Sequence, residues 1–598
     1  MPQRLYIKVI LPLRLEWEPC YYIPDTISVK PVPGDRVTVR FAGRKQVGVV
    51  SQTGVSPDVD PSRILPIESL NANLPAIEKE EIEFWRFISD YYLCTVGEVY
   101  KAAYPPLKTA SEEAGGNLLQ RRALLEEKSR EMWLRRLDKL KARLAAKDAD
   151  LARKHTDSVR SRLKEQRTVI AAELGKAEAA LLKFENGLDT GKDFSALLQG
   201  IPIPSKIKEL ESGKPILLKS ADRNNYYINA ASAVLRSGKN VLILVNETAL
   251  TAKLNEELKN AFGSLLLVHH SKMTQANRRR ISEDIRSGRP YIVIGTRSSI
   301  FLPFRDLGLI VVENEESPFY KQSDTAPRYN ARDCAIELAI LHNCTVILGS
   351  SSPSLESIGN AKSHKYIFVE GGDSTHIPNL ELIDMLAERR KNGLKGILSR
   401  RLIAGLESCK GKAAIIRGFE KEAELKAAVK EHCSKEDFDI LTIPQASKTD
   451  FSQYDVIAMT SGEALFDAGD FRSDERAFQF LERLRCCSSK VIVQTYQAAH
   501  QVFSLTDTLP LFDERRQFNL PPFTRIIDLQ FHFSDAADIL ARTLRAAGFA
   551  ATCFGPTIRI TLKKDKFLLA RKAELRSILD QYRKDHPRER FHIDVDPV

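Results

Sequence analysis

Short apolar runs that alternate with helical stretches limit most strongly how this chain can fold. Five such runs lie at 216–218, 241–245, 292–294, 309–312 and 346–348. Strands that are buried on both faces of a parallel sheet have this continuous apolar character. A weaker second set lies at 413–416, 439–441, 456–458 and 491–493. The pattern predicts an α/β architecture with largely parallel sheets.

The two ends of the chain have a different texture. After the turn signal Pro33-Gly34-Asp35, apolar residues alternate through Val37, Val39 and Phe41, and 47–50 can return as the second strand of a hairpin. A helical period follows, set by Ile82, Trp85, Ile88 and Tyr92. Residues 518–598 have the mixed pattern of a small α+β unit. We therefore expect a β-rich start and a compact α+β end around the α/β region.

Residues 118–186 form a third kind of sequence. They contain no proline and one glycine, and they hold 18 Lys and Arg against 11 Asp and Glu. Leucines at near-heptad spacing predict a long helix or an antiparallel helical hairpin, with a break near 154–157 favouring the hairpin. The excess of cations suits a phosphate backbone, whereas a solvated hairpin or a partner-binding coiled coil is an equally good interpretation.

Composition excludes several classes of protein. Apolar residues make up 43% and charged residues 28%, which is typical of globular chains. No apolar run reaches the length of a membrane span, and Arg4 and Lys8 interrupt any signal core, so we expect no membrane association and a cytoplasmic location. The 9 cysteines include no Cys-x-x-Cys pair, which predicts reduced thiols and no zinc site. A net charge of +11 is compatible with a polyanionic partner.

Several segments together resemble the PriA family, the primosomal protein N′ helicases of bacterial replication restart. They are PLRLEWEPCYYIP (12–24), DYYLCTVGEVYKAAYP (90–105), LVNETALT (244–251), GTRSSIFLPF (295–304), VVENEESPFYKQ (311–322), APRYNARD (326–333), LGSSSPS (348–354), ERAFQFL (475–481) and LPPFTRI (520–526). The resemblance implies two RecA-like helicase lobes with parallel sheets, an N-terminal β-rich DNA-binding domain, a helical hairpin or coiled-coil insertion and a small α+β C-terminal domain. The expected boundaries are 1–107 for the 3′-DNA-binding-like domain, 110–205 for the charged helical region, 206–375 and 376–517 for the two lobes, and 518–598 for the C-terminal domain.

The chain departs from this family where ATP would bind. The family has a Gly-rich loop closed by Gly-Lys-Thr, because glycines let backbone amides approach the phosphates and lysine meets their charge. Here the corresponding loop, 219–227, contains no glycine. Arg223 supplies a positive charge without the amide cradle, and Asp222 repels phosphate.

The other ATPase motifs are also altered. Glu313-Asn314-Glu315-Glu316 stands where the family has Asp-Glu-Glu-His, so Asn314 lacks the carboxylate that activates water. These degenerate positions are interpreted as an acidic strand end, as an inert remnant that still binds a ligand, or as a working magnesium site that Glu313 reaches with its longer side chain. The zinc insertion and the arginine-finger segment are missing, and Arg483 and Arg485 are interpreted as helix charges. Catalytic residues are therefore not intact, and ATP, magnesium and zinc are not predicted as cofactors.

DNA-contacting residues are expected in two places. An aromatic-rich loop interleaves rings and cations, which suits single strands because stacking tolerates any base while cations meet phosphates. Its candidates are Phe319, Tyr320, Lys321, Arg328, Tyr329 and Arg332. The resemblance further places Tyr22, Gly43 and Arg63 near a pocket for the 3′ end of a strand. Packing of the tyrosines and an Arg332–Asp333 pair remain alternatives.

The leading hypothesis is a PriA-like DNA-binding protein of replication restart that lacks ATP-driven unwinding. Its expected partners are forked or single-stranded DNA and other primosome proteins. One alternative is a divergent ATP-dependent 3′→5′ DNA helicase with an unrecognised phosphate loop. The other is a protein-binding scaffold that uses the helical hairpin.

Overall fold

The structure is a computed structural model that describes residues 4–71, 74–105, 118–153, 160, 163–164, 166–171, 173–175, 178, 198, 200–246, 253–371, 380–434, 436–467, 469–486 and 490–597. Within these residues the predicted α/β class is confirmed, with two parallel sheets and an antiparallel sheet at each end. No helix among them is apolar over enough residues to cross a lipid bilayer.

The first antiparallel sheet curls on itself. Its strands are β1 (Tyr6–Ile10), β2 (Cys20–Tyr22), β3 (Arg36–Phe41), β4 (Arg44–Thr53) and β5 (Ile67–Leu70), in the order β2-β1-β4-β3-β5. A bridge between Tyr22 and Pro66 joins the two edges, and we call the result the amino-terminal barrel. The predicted hairpin is confirmed as β3 and β4, whose turn has φ of 47° at Ala42 and 77° at Gly43.

Two helices follow the barrel and tie it to the rest of the chain. α1 (Lys79–Tyr92) confirms the predicted helical period, and α2 (Val96–Ala103) begins after a Thr95 capping box. Their apolar faces share one core with a face of the first parallel sheet and with the C-terminal sheet. Burial of the large rings of Trp85 and Tyr92 in this core makes the three parts one packed body.

The charged insertion contains α3 (Leu118–Leu151). Asp148 pairs with Arg167 at 2.5 Å and Lys141 pairs with Glu178 at 4.0 Å. Because the partner number rises as the α3 number falls, the two segments run antiparallel, as the hairpin prediction requires. The break expected near 154–157 lies outside the described residues.

The first parallel sheet, which we call the first lobe with its helices, has seven strands. They are β6 (Ile216–Lys219), β7 (Asn240–Leu244), β8 (Leu266–His269), β9 (Ile292–Gly295), β10 (Leu307–Glu313), β11 (Thr345–Ser350) and β12 (Ile367–Glu370), in the order β12-β6-β11-β10-β7-β9-β8. Its helices are α4 (Asn224–Arg236), α5 (Lys253–Phe262), α6 (Gln275–Arg286), α7 (Ala331–Leu341) and α8 (Leu355–Lys362). Since β6, β11 and β10 are neighbours and parallel, the loops after them meet at one edge of the sheet.

The second parallel sheet defines the second lobe. Its strands are β13 (Leu380–Asp384), β16 (Ala413–Arg417), β17 (Phe438–Thr442), β18 (Val456–Met459) and β19 (Lys490–Thr495), in the order β13-β19-β18-β16-β17. A small hairpin, β14 (Leu394–Lys395) and β15 (Leu398–Ser399), stands apart from it. The helices are α9 (Met385–Lys391), α10 (Arg400–Glu407), α11 (Glu422–His432), α12 (Ile443–Ala446), α13 (Ser473–Arg485) and α14 (Leu509–Gln517). The two lobes are RecA-like.

The C-terminal sheet is antiparallel. Its strands are β20 (Thr524–Phe531), β21 (Ala550–Phe554), β22 (Thr557–Lys563) and β23 (Phe591–Val595), in the order β21-β22-β20-β23. α15 (Ser534–Ala546) and α16 (Leu568–Asp585) cover one face. This confirms the predicted α+β end.

Candidate nucleotide site and nucleic-acid interface

The loop after β6 turns its one arginine inward. The Arg223 guanidinium donates from Nε to Glu313 Oε2 at 3.0 Å, from Nη2 to Glu313 Oε1, and from Nη2 to Asn314 Oδ1 at 3.0 Å. Its Nη1 donates to the carbonyl oxygen of Ser220 within the loop. The guanidinium thus joins the ends of β6 and β10 by a forked ion pair, the strongest form of arginine–carboxylate contact.

Tyr227 completes this cluster, which we call the Arg223–Tyr227–Glu313 cluster. The fully buried Tyr227 hydroxyl donates to Glu313 Oε2 at 2.5 Å. Burial, followed by the Glu313 charge, raises the pKa of Tyr227 well above its usual range, so the hydroxyl keeps its proton. The ring lies close against β11, where a Cβ on Gly349 would come within 1.6 Å of the Tyr227 oxygen. Both Glu313 oxygens are therefore occupied by side chains of this chain.

This arrangement does not fit the magnesium and ATP that the family resemblance implies. A magnesium ligand needs a free carboxylate oxygen, and Glu313 gives both oxygens to Arg223 and Tyr227. A phosphate cradle needs an uncommitted positive charge and closely approaching amides. Here the charge is neutralised by Glu313, and the loop has no glycine.

The rest of the acidic segment is structural. Glu315 is 1% exposed and accepts hydrogen bonds from the Ser354 backbone N at 2.6 Å, Ser357 Oγ at 2.9 Å and Arg332 Nη1 at 3.1 Å. Its carboxylate therefore anchors the start of α8 to the end of β10. Burial and the neighbouring Glu315 raise the pKa of Glu316 to about 7.

Arg483 and Arg485 of α13 both contact other residues of the second lobe. Arg483 donates to the carbonyl oxygens of Ser447 and Thr449, the latter at 2.8 Å, and so caps the end of α12. Arg485 pairs with Glu482 at 2.5 Å one turn away. Arg485 thus pairs within its own helix, whereas Arg483 is held by the end of α12 and is not the solvated helix charge that its sequence position suggested.

Four of the six candidates in the aromatic-rich loop face the protein interior. Tyr320 donates to the Leu244 carbonyl oxygen at 3.0 Å, and Lys321 pairs with Asp594 at 2.8 Å. Tyr329 packs edge-on against Phe301 with ring centroids 5.2 Å apart. Arg332 pairs with Asp333 at 2.8 Å, as well as with Glu315. In the conformation described, these side chains stabilise the first lobe and its junction with the C-terminal sheet.

The other two candidates of this loop join neighbouring parts. Lys448 Nζ of the second lobe lies over the Phe319 ring, 4.4 Å from its centroid. Arg328 donates to Gln530 Oε1 of the C-terminal sheet at 3.0 Å and remains half-buried. Phe319 and Arg328 are half-buried and so keep part of their surface accessible to a ligand.

The three barrel candidates lie around the closure of the barrel. Tyr22 donates its backbone N–H to the Leu65 carbonyl oxygen at 3.1 Å, which brings it beside the segment that begins at Arg63. Its half-buried ring lies 4.6 Å from the Arg4 guanidinium carbon. Arg63 and Gly43 are exposed, and a Cβ on Gly43 would meet nothing within 4 Å. Within the described residues, the side chain of Arg63 has no partner.

Sequence reasoning missed Tyr227 and a buried charge network between the lobes. The position of Tyr227 four residues after Arg223, on the same helix face, was an available signal. In the network, Arg472 pairs with Glu356 of α8 at 2.7 Å, and Arg515 pairs with Glu475 at 2.8 Å. Glu475 also accepts the Leu355 backbone N–H at 2.9 Å. No local pattern in the sequence predicts these pairs, because their partners lie far apart in the chain.

The chain is similar to a protein-family model and to several relatives. Residues 8–105 match the family model of the 3′ DNA-binding domain of PriA. The replication restart protein PriA of Chlamydia pneumoniae is 29% identical over 425 residues, which cover 66% of this chain and 55% of that protein. The same protein of Haemophilus influenzae is 29% identical over 431 residues, covering 67% and 57%. That of Rickettsia prowazekii is 37% identical over 208 residues, covering 33% and 32%.

Solved structures are more distant. The helicase MrfA bound to DNA has a TM-score of 0.34 at 12% identity, covering 64% of this chain and 58% of its own. RecG bound to a three-way DNA junction has a TM-score of 0.34 at 11% identity, covering 55% and 49%. At these scores neither structure bears on what this chain does.

Two RecA-like lobes behind a β-rich DNA-binding-type barrel define a helicase-like protein. The match to the barrel and the similarity over two thirds of the chain are to the same family. The chain is similar to the replication restart proteins PriA over about two thirds of its length. It spans about half the length of the curated relatives it matches.

Proposed function

We propose that this chain binds forked or single-stranded DNA during replication restart and does not unwind it with ATP. The Arg223–Tyr227–Glu313 cluster carries the second half of this proposal, because it places a guanidinium and a phenol where the family would hold magnesium and phosphate. The similarity to PriA proteins supports the first half, together with a role beside other primosome proteins in the cytoplasm.

The DNA surface is proposed at the amino-terminal barrel. Tyr22, Gly43 and Arg63 lie in the segment that matches the 3′ DNA-binding family model. A half-buried ring at Tyr22 and an exposed cation at Arg63, in the segment to which the Tyr22 backbone is hydrogen-bonded, suit a strand end, because a ring can stack on a base while a cation meets a phosphate. Phe319 and Arg328 are proposed as secondary contacts from the aromatic-rich loop.

ATP turnover tests the loss of the motor. The full chain is incubated with Mg²⁺ and ATP, with and without forked DNA, and phosphate release is measured. We expect no DNA-stimulated release and no rise in melting temperature at millimolar ATP. A site whose Kd lies a hundredfold below the ATP concentration would stabilise the fold by about 2.7 kcal/mol, which a melting curve detects easily. Turnover or such a rise would support the divergent helicase instead.

DNA binding is tested separately with a labelled fork. Affinity is measured for a fork with a free 3′ end and for the same fork blocked at that end. We expect Arg63→Gln to weaken binding several-fold, whereas Lys30→Gln, an exposed cation of the same region, leaves it unchanged. Equal affinity of the unaltered chain, Arg63→Gln and Lys30→Gln for the fork would contradict a DNA surface at the barrel.

A further inference from the structure

A group of exposed cations on the second lobe has no partner among the residues that the structure describes. It consists of Arg389, Arg390, Lys391, Lys395 and Arg400, and we call it the basic hairpin. Three of these residues form the last turn of α9, Lys395 ends β14, and Arg400 follows β15. Within the described residues, none of the five side chains makes an ion pair or hydrogen bond.

Each of the carboxylates nearby binds another group through at least one oxygen, although the second oxygen of Glu388 has no hydrogen-bond partner among the described residues. Asp384 caps α9 by accepting the backbone N–H of Leu386 at 2.9 Å. Glu388 is buried and accepts from Asn392 Nδ2 at 3.0 Å. Glu381 takes Arg401 and Lys490, the latter at 3.1 Å. The basic hairpin is therefore a surface of one sign of charge rather than a solvated face of mixed charges.

The backbone that carries these cations is firmly anchored. Gln494, 1% exposed, donates to the Ile397 carbonyl oxygen at 2.8 Å and accepts the Ser399 backbone N–H at 3.2 Å. Leu398 and Met385 are buried in the second-lobe core. Gly393 and Gly396, with φ of 72° and 61°, make the tight turns on either side of β14. A ligand that meets this surface orders few new backbone residues, so binding costs little backbone conformational entropy.

Helix stability explains only part of the group. Cations in the last turn of α9 interact favourably with the helix dipole. Arg400, however, is the first residue of α10, where the helix dipole disfavours a positive charge, and Lys395 lies outside any helix. By contrast, α11 in the same lobe mixes Lys426 and Lys430 with acidic neighbours in the way of an ordinary solvated face.

We propose that the basic hairpin is a second DNA-contact surface that binds the phosphate backbone. The inference rests on the proposed function and adds a contact on the second lobe, away from the strand-end site on the barrel. Five exposed cations without partners among the described residues match a polyanion in the sign of their charge, and phosphate contacts of this kind bind without sequence preference.

The test compares salt-dependent DNA binding by three full-length proteins. One is unaltered, one carries Arg389→Gln, Arg390→Gln and Lys395→Gln, and the matched control carries Lys421→Gln, Lys426→Gln and Lys430→Gln. Both variants lose three positive charges from exposed positions of the second lobe. Melting temperatures verify that both remain folded. Affinity for a labelled fork is then measured between 50 and 200 mM salt, a range in which roughly 6–10 phosphate contacts change affinity by orders of magnitude.

The hairpin variant is expected to bind at least tenfold more weakly at low salt. Its plot of log affinity against log salt should be less steep by about two units, since each lost phosphate contact removes roughly 0.7–0.9. The control should keep the affinity and slope of the unaltered chain. Identical curves for all three proteins, or equal weakening in both variants, would overturn the proposal. If the unaltered chain does not bind DNA, the proposed function fails and this inference fails with it.

Discussion

The edge of the first lobe where β6 and β10 end, which we call the nucleotide edge, differs from the closure of the amino-terminal barrel in how its charged side chains are paired. At the nucleotide edge, Arg223 and Glu313 are both largely buried and satisfy each other. At the barrel, Arg63 is exposed and has no partner among the described residues. Buried charges that pair with each other are costly to separate and are lost to ligands, whereas unpaired surface charges add little stability and remain free to bind. In one chain, therefore, the charged side chains of the nucleotide edge are bound to each other, whereas Arg63 at the barrel closure remains exposed.

The largest effect is expected from breaking the inward pair. Arg223→Met leaves the Glu313 carboxylate buried beside an apolar side chain, and loss of one partner of a buried pair typically costs 3–5 kcal/mol. We expect a decrease of about that size in the free energy of unfolding, measured by denaturant titration. The double variant Arg223→Met with Glu313→Gln should recover much of the loss, because no unpaired charge then remains. A change below about 0.5 kcal/mol in the single variant would show that the pair is solvated, against the burial seen here.

A smaller effect is expected from removing one hydroxyl of the same cluster. Tyr227→Phe keeps the ring that packs against Gly349 and deletes only the hydrogen bond to Glu313. Hydrogen bonds to charged groups are worth about 1.5–3 kcal/mol, so we expect a loss of roughly 2 kcal/mol in the same titration. Tyr226→Phe, a half-buried neighbour whose hydroxyl makes no hydrogen bond to Glu313, is the matched control and should change stability far less. Equal losses in the two variants would remove Tyr227 from the cluster.

The free energy of unfolding should depend on pH through the Glu316 carboxyl group of the first lobe. Because its pKa is about 7 in the folded chain and near 4.5 when unfolded, the unfolded state loses this proton first as pH rises. The unfolded form is thereby favoured, so this group lowers stability progressively between about pH 4.5 and pH 7. We expect Glu316→Gln to be more stable than the unaltered chain by about 1–2 kcal/mol at pH 8, with the difference shrinking towards pH 4.5. A difference that does not vary with pH would contradict the raised pKa.

The sequence predicted the elements of the fold better than the direction of its side chains. The apolar runs at 241–245 and 309–312 are central strands, because burial on both faces leaves a continuous pattern that needs no long-range information. The missing glycines after β6 were also readable, since they depend on residue type alone. That Lys321 turns inward was not, because its partner Asp594 lies at the far end of the chain. Arg223 and Glu313 are likewise 90 residues apart, and only the parallel pairing of β6, β11 and β10 brings them together.

The smallest effect on stability is expected at the open edge. Arg63→Gln removes an exposed charge without an internal partner, and substitutions of this kind usually change the free energy of unfolding by less than about 0.5 kcal/mol. We therefore expect an unchanged denaturation curve together with the several-fold loss of fork binding proposed above. Arg36 is the matched contrast in the same barrel, because its buried guanidinium lies 4.4 Å from the Tyr104 ring and donates to Tyr100. Arg36→Gln should lower stability by more than 1 kcal/mol through loss of these buried contacts. If Arg63→Gln destabilises the chain as much as Arg36→Gln does, the barrel edge is not open, and the contrast with the nucleotide edge disappears.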